Sequence, residues 1–145
     1  MLVDPTFLSP ERQREVHDSD IAGQHRRVLG PSKQQLVEQA RTRNPHRSLE
    51  LVELQAEASS KTSMAAFEVL TPPNPAYREL VRGIDVPSLL VIGDDPVVTL
   101  DMATELQSLH AGLRIEQVAN AGHGLPFEQP ERLAEVVLSF LRALA

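Results

Sequence analysis

Residues 86 to 93 read Val-Pro-Ser-Leu-Leu-Val-Ile-Gly. A continuous apolar run led by proline and closed by glycine suits a strand buried on both faces of a mostly parallel sheet. Such a strand needs helices packed on each side, so it commits the chain to an α/β architecture. The residues after Gly93 have the matching rhythm. Thr99 can cap a helix reaching about Leu109, with Ala103, Leu106 and Leu109 or His110 facing inward. Leu113 to Val118 reads as a second strand. Pro130 suits a first helical position, and Leu133, Val136, Val137, Phe140, Leu141 and Leu144 then recur at i, i+3, i+4, i+7, i+8 and i+11. Strand, helix, strand, helix with short connections is the pattern of a doubly wound sheet, in which functional groups gather at the carboxyl ends of the strands.

The stretch before Gly83 reads differently, as short helices between breakers. Ser32 and Gln35 form a capping box that opens a helix toward Ala40, and Asn44-Pro45 closes it. Ser48 can cap the next helix, whose stripe of Leu51, Leu54, Gln55 and Ala58 is weak. Ser63 to Leu70 adds a turn or two before Thr71-Pro72-Pro73-Asn74-Pro75 breaks the chain, and Tyr77 to Arg82 forms a short helix stopped by Gly83. The charge changes at the same place. After Gly83 three basic residues face nine acidic ones, which accounts for the whole net charge of -6. These shifts predict an internal boundary there, dividing residues 1–83 from 84–145.

Composition removes several function classes. The acidic balance argues against a nucleic-acid surface. No apolar run approaches the ~18 residues of a membrane span, and Met1 to Gln13 has no signal-peptide pattern, so a cytoplasmic address is expected. The chain has no cysteine, which excludes disulfides, thiolate nucleophiles and sulfur-bound metals.

Both strand ends carry reactive side chains. Asp94 and Asp95 follow the first strand, and His123 lies a few residues beyond the second, between Gly122 and Gly124. Adjacent parallel strands bring these loops to one edge, where a carboxylate could orient the imidazole through Nδ1–H and leave Nε2 as a base. The plainer alternative is that the aspartates are turn residues and His123 a surface histidine.

The run from Val86 to Asp95, then Ala121-Gly122-His123-Gly124, then Glu128-Gln129-Pro130-Glu131 and an apolar helix, resembles the C-terminal part of the α/β-hydrolase-fold family. The family pattern V-P-x-L-x-I-x-G-x-x-D ends in the triad acid, and A-G-H-x-x-x-x-E-x-P-E supplies the triad histidine. His123 matches the second pattern. The first is one residue short, because the position three after Gly93 is Pro96; the resemblance therefore implies Asp95 as the acid, with Asp94 as the alternative. It further implies that residues 5 to 82 stand in the place of the family's helical cap, with Met1 to Pro5 as the end of the preceding strand. Met64, Phe67 and Tyr77, with Leu70, are then candidates for an apolar substrate pocket, although core packing alone would explain them.

The implied activity is hydrolysis of an ester or similar small acyl substrate by a Ser-His-Asp triad, with no cofactor. The G-x-S-x-G elbow that carries the family's serine is not in these residues. Ser32 follows Gly30-Pro31 but belongs to a capping box. The nucleophile is thus expected upstream of Met1, and the strand edge where its strand would pair is expected to favour self-association. Two other readings remain: a non-catalytic fragment or binding module with the hydrolase shape, and a metal site built from His110, His123 and aspartates, whose spacings match no common ligand pattern.

Overall fold

The computed structural model describes residues 1–144. Its sheet has three parallel strands in the order β1 (Leu2–Val3), β2 (Ser88–Ile92), β3 (Leu113–Gln117). Leu2 pairs with Leu90 and Val3 with Val91, while β2 runs against β3 from Ser88↔Leu113 to Ile92↔Gln117. Every residue of the apolar run in β2 is buried. Because strand side chains alternate, the run feeds two cores. Leu90 and Ile92 join Val81, Val98, Ala103, Leu106 and Leu113 on one face. Leu89 and Val91 join Val118, Ala121, Leu125, Val136 and Phe140 on the other.

Helices supply both layers. The first core is covered by α5 (Tyr77–Arg82) and α6 (Leu100–Leu109), the latter capped by Thr99, whose side chain accepts from the Met102 N–H. The second is covered by α7 (Leu125–Glu128) and α8 (Pro130–Arg142), which begins at its proline. In α8 the stripe from Leu133 to Phe140 packs inward, but Leu141 and Leu144 are about half exposed, contrary to the periodicity.

The chain divides into a sheet unit, residues 1–7 with 75–145, and a helical unit, residues 8–74. This corrects the boundary expected at Gly83. Tyr77 and Val81 of α5 belong to the first core, where Tyr77 stacks on Phe7 at 4.7 Å between ring centroids. Packing therefore assigns residues 75–83 to the sheet, whatever their charge.

The helical unit contains α1 (Pro10–Asp18), α2 (Ile21–Val28), α3 (Lys33–Arg43), α4 (Leu49–Lys61) and a 3-10 helix, Met64–Leu70. The capping box of Ser32 and Gln35 forms with both of its hydrogen bonds, which is the role Ser32 plays. The buried residues of α4 are Val52 and Ala56, and that of α3, which packs against it, is Leu36, whereas Leu54 and Ala58 are exposed. Lys33 reaches Glu57 across this helix pair at 2.8 Å, and Lys61 meets the same carboxylate at 2.6 Å. Gln13, buried in α1, donates through Nε2 to the Leu8 carbonyl at 3.1 Å and accepts the Asn74 N–H at 3.0 Å. One side chain thus ties together the two ends of the unit.

Candidate active site

The site stands at the carboxyl edge of the sheet and begins with Asp4. The residue directly follows β1, and its N–H continues the ladder by donating to the Val91 carbonyl at 2.8 Å. Its φ is 35°, in the left-handed region that aspartate tolerates better than most residues. The carboxylate is fully buried. Oδ1 accepts the Val98 N–H at 2.8 Å, and Oδ2 accepts the Val97 N–H at 3.0 Å. Oδ2 also lies 3.0 Å from Nδ1 of His123. Burial pushes this carboxyl upward, but the Val97 and Val98 N–H groups and the His123 ring together outweigh it and hold the group below its ordinary value. Asp4 is therefore ionised near neutral pH.

An ionised carboxylate can only accept, so the hydrogen at this contact sits on Nδ1 of His123. The other nitrogen of a neutral ring, Nε2, is then an acceptor with the lone pair of a base. The His123 side chain is 58% exposed. A buried anion behind an accessible imidazole is an arrangement that can orient the ring and leave its outer nitrogen to act as a base.

Asp95 and Asp94 do other things. The Asp94 side chain accepts the Asn120 N–H at 2.7 Å, and the backbone N–H groups of Asp94 and Asp95 both donate to the Ala121 carbonyl. Asp95 also bridges Gly122 through the backbone. The carboxylate that meets His123 is thus Asp4, and neither aspartate after Gly93 does so. The reason is sheet order. β1 lies beside β2 on the side away from β3, and the chain after Asp4 is free to turn its carboxylate under residues 97 and 98 toward the imidazole. The sequence held a local signal for this: Asp4 stands directly after a strand, as Asp94 and Asp95 do.

The remaining candidates separate. Met64 and Phe67 line a cleft of about 450 Å³ within the helical unit, together with Val16, Ile21 and Leu70. Tyr77 is instead a core residue of the sheet unit, stacked on Phe7 and covered by the Arg78 guanidinium. His110 donates from Nε2 to the Val86 carbonyl, 3.1 Å away. Among the described residues no group of three His, Cys, Asp or Glu is placed to hold a metal ion. His25, which reads as solvated in the sequence, is partly buried; its Nε2 meets the Thr62 carbonyl at 3.0 Å, and its ring packs on Phe67. Among the described residues no helix is long and apolar enough to cross a membrane.

No family model matches the chain. Carboxylesterase YbfK of Bacillus subtilis (strain 168) is 44% identical over 63 residues, which is 42% of this chain and 21% of that protein. Among solved structures, an esterase from Thermogutta terrifontis superposes with a TM-score of 0.61 at 20% identity, over 98% of this chain and 54% of that one. The M. tuberculosis esterase Rv0045c gives 0.57 at 21% identity, over 94% of this chain and 52% of that one. The chain spans about half the length of these structures. With its three parallel strands, two-sided helical cover and helical unit between β1 and β2 in the chain order, the chain has the α/β-hydrolase fold of these structures.

Proposed function

We propose that this chain supplies the base and the orienting acid of a hydrolase acting on an ester or similar small acyl substrate. The observation that supports this reading is the 3.0 Å contact between Nδ1 of exposed His123 and Oδ2 of buried Asp4. In the reaction a serine hydroxyl adds to the acyl carbonyl while Nε2 of His123 takes its proton. The imidazolium then returns that proton to the departing alkoxide as the C–O bond breaks, leaving an acyl-enzyme. Water is activated by the same nitrogen, and the serine leaves with the proton. Asp4 keeps its negative charge throughout and stabilises the imidazolium.

The reading requires a nucleophile from a part of the fold outside these residues, since no G-x-S-x-G elbow occurs among them. The names of the similar esterases favour an ester substrate. The helical unit takes the part of the cap, with Met64 and Phe67 contributing apolar lining to its cleft. The test begins by translating the DNA upstream of the Met1 codon in frame and expressing the extended protein. With p-nitrophenyl esters, Asp4→Asn should lower kcat by about 10⁴-fold, as loss of the triad carboxylate does elsewhere. Asp95→Asn should change it only a few-fold. A closed frame, or an extended protein without esterase activity, would replace this reading with that of a non-catalytic module; loss of activity in Asp95→Asn alone would move the acid to Asp95.

A further inference from the structure

We propose that Glu128 and Asp94 are positioning residues for His123, two carboxylates that grip the backbone on its N-terminal side and hold the imidazole in register with Asp4. This rests on the reading of His123 as the base.

The regular ladder between β2 and β3 stops at Ile92↔Gln117. Beyond it the His123 loop has only scattered ties. Val118 N–H reaches the Ile92 carbonyl at 2.9 Å, and the Asp94 N–H reaches the Ala121 carbonyl at 2.7 Å. Two of the N–H groups just before His123 go to side-chain carboxylates. Asp94 Oδ2 accepts from Asn120, whose φ of 58° turns the chain there, and Glu128 Oε2 accepts from Gly122, both at 2.7 Å. These contacts are short and charge-assisted, the stronger kind of hydrogen bond.

Glu128 does more than cap one N–H. A Cβ placed on Gly124 would stand 2.7 Å from Oε1 of Glu128, while one on Gly122 would stand 3.3 Å from the Asp95 carbonyl. The carboxylate of Glu128 therefore occupies the space a side chain at Gly124 would need, whereas at Gly122 the tighter neighbour is the Asp95 carbonyl. Neither glycine has a positive φ, so conformational freedom is not the reason for them. Since the imidazole must meet Oδ2 of an Asp4 that is buried and already held by the Val97 and Val98 N–H groups, a shift of the loop backbone alters that contact.

The experiment uses the chain itself, with ¹⁵N-labelled histidine, observed by NMR above the imidazole's titration range. The wild-type ring should be held as the Nδ1–H tautomer by Asp4. Glu128→Ala should lower the ratio of that tautomer to the Nε2–H form by about tenfold, the scale of one lost charge-assisted hydrogen bond. Asp94→Ala should move it in the same direction. Glu128→Gln, whose amide oxygen still accepts from Gly122, should restore most of the wild-type ratio. An unchanged ratio in a folded Glu128→Ala or Asp94→Ala protein, whatever its melting temperature, overturns the proposal. If Glu128→Ala does not fold, Asp94→Ala and Glu128→Gln decide it. Asp4→Asn separates the two claims: if it leaves the ratio unchanged, the reading of Asp4 and His123 as a pair fails, whereas a response to Asp4→Asn alone sinks only the positioning role.

Discussion

Asp4→Asn is the most informative single substitution for the sheet unit. Asparagine tolerates a positive φ as aspartate does, so the backbone contribution at 35° is nearly unchanged and the hydrogen bonds are isolated. The amide can offer one oxygen. Placed where Oδ2 was, it still serves the Val97 N–H and His123, but its NH₂ then faces the Val98 N–H. Val98 is fully buried, so that N–H is left without an acceptor, at a cost of about 1–3 kcal/mol. The two surviving bonds lose their charge assistance, adding on the order of 1 kcal/mol. The sum is about 2–4 kcal/mol, a large share of the ~5–15 kcal/mol that holds a domain together.

The assay is urea unfolding of both proteins near neutral pH and again in acid. The folded-state value of Asp4 lies below its ordinary 3.8, so its stabilising contribution is complete above that value and is lost as pH falls through the folded one. The wild-type advantage should therefore be full near neutrality and shrink on acidification, because a protonated Asp4 is close to the amide it is compared with. A difference under about 0.5 kcal/mol at neutral pH, or one that persists undiminished in acid, would refute this account of Asp4.

Four further outcomes are expected of the same structure. Gly93→Ala should destabilise the sheet unit by about 1–3 kcal/mol in thermal melts, because a Cβ there would collide with the Ala121 carbonyl that receives the Asp94 and Asp95 N–H groups. Lys33→Met should raise the Glu57 carboxyl from its value of about 2 part of the way toward its ordinary range, as tracked by ¹³C NMR titration, since Lys61 would still hold it; added salt should raise it further. His123→Ala should leave the slow hydrolysis of p-nitrophenyl esters by this chain alone unchanged, and a clear loss of rate would reveal a nucleophile within it. The edge of β1 away from β2 carries no strand among the described residues, so sedimentation should show self-association that Leu2→Lys reduces; a sharp monomer boundary for the parent chain would contradict this.

Much of the architecture was legible because it depends on local chemistry. The apolar run of β2, the caps Ser32, Ser48 and Thr99, and Pro130 at the head of α8 each act within a few residues, and each appears where the sequence places it. Helix α4 shows where periodicity falls short. Its apolar residues wrap around the cylinder, so which of them were buried depended on where α3 would lie, and Val52 and Ala56 won over Leu54 and Ala58. His123 was legible from its glycine setting, but its partner was not. Asp4 and His123 are separated by 119 positions and meet only because β1 crosses to the far side of β2. Spacing within a motif favoured the aspartates nearest the glycine, and no count along the chain could weigh a partner so remote.

The clamp made by Gln13 bears on how such a chain assembles. β1 must find β2 across the intervening segment, pairing Leu2 with Leu90, and a contact so distant along the chain is slow to form by random search. Once Gln13 has joined Leu8 to Asn74, however, the 8–74 segment enters and leaves at nearly one point. To the sheet it then behaves as a short connection, whose closure entropy has already been met by the helices themselves. The order of events this favours is helical segment first, β1 docking second. Asp4 would come under the Val97 and Val98 amides only in that last step, so completion of the His123 pair would report that the entire chain, not the sheet alone, has folded.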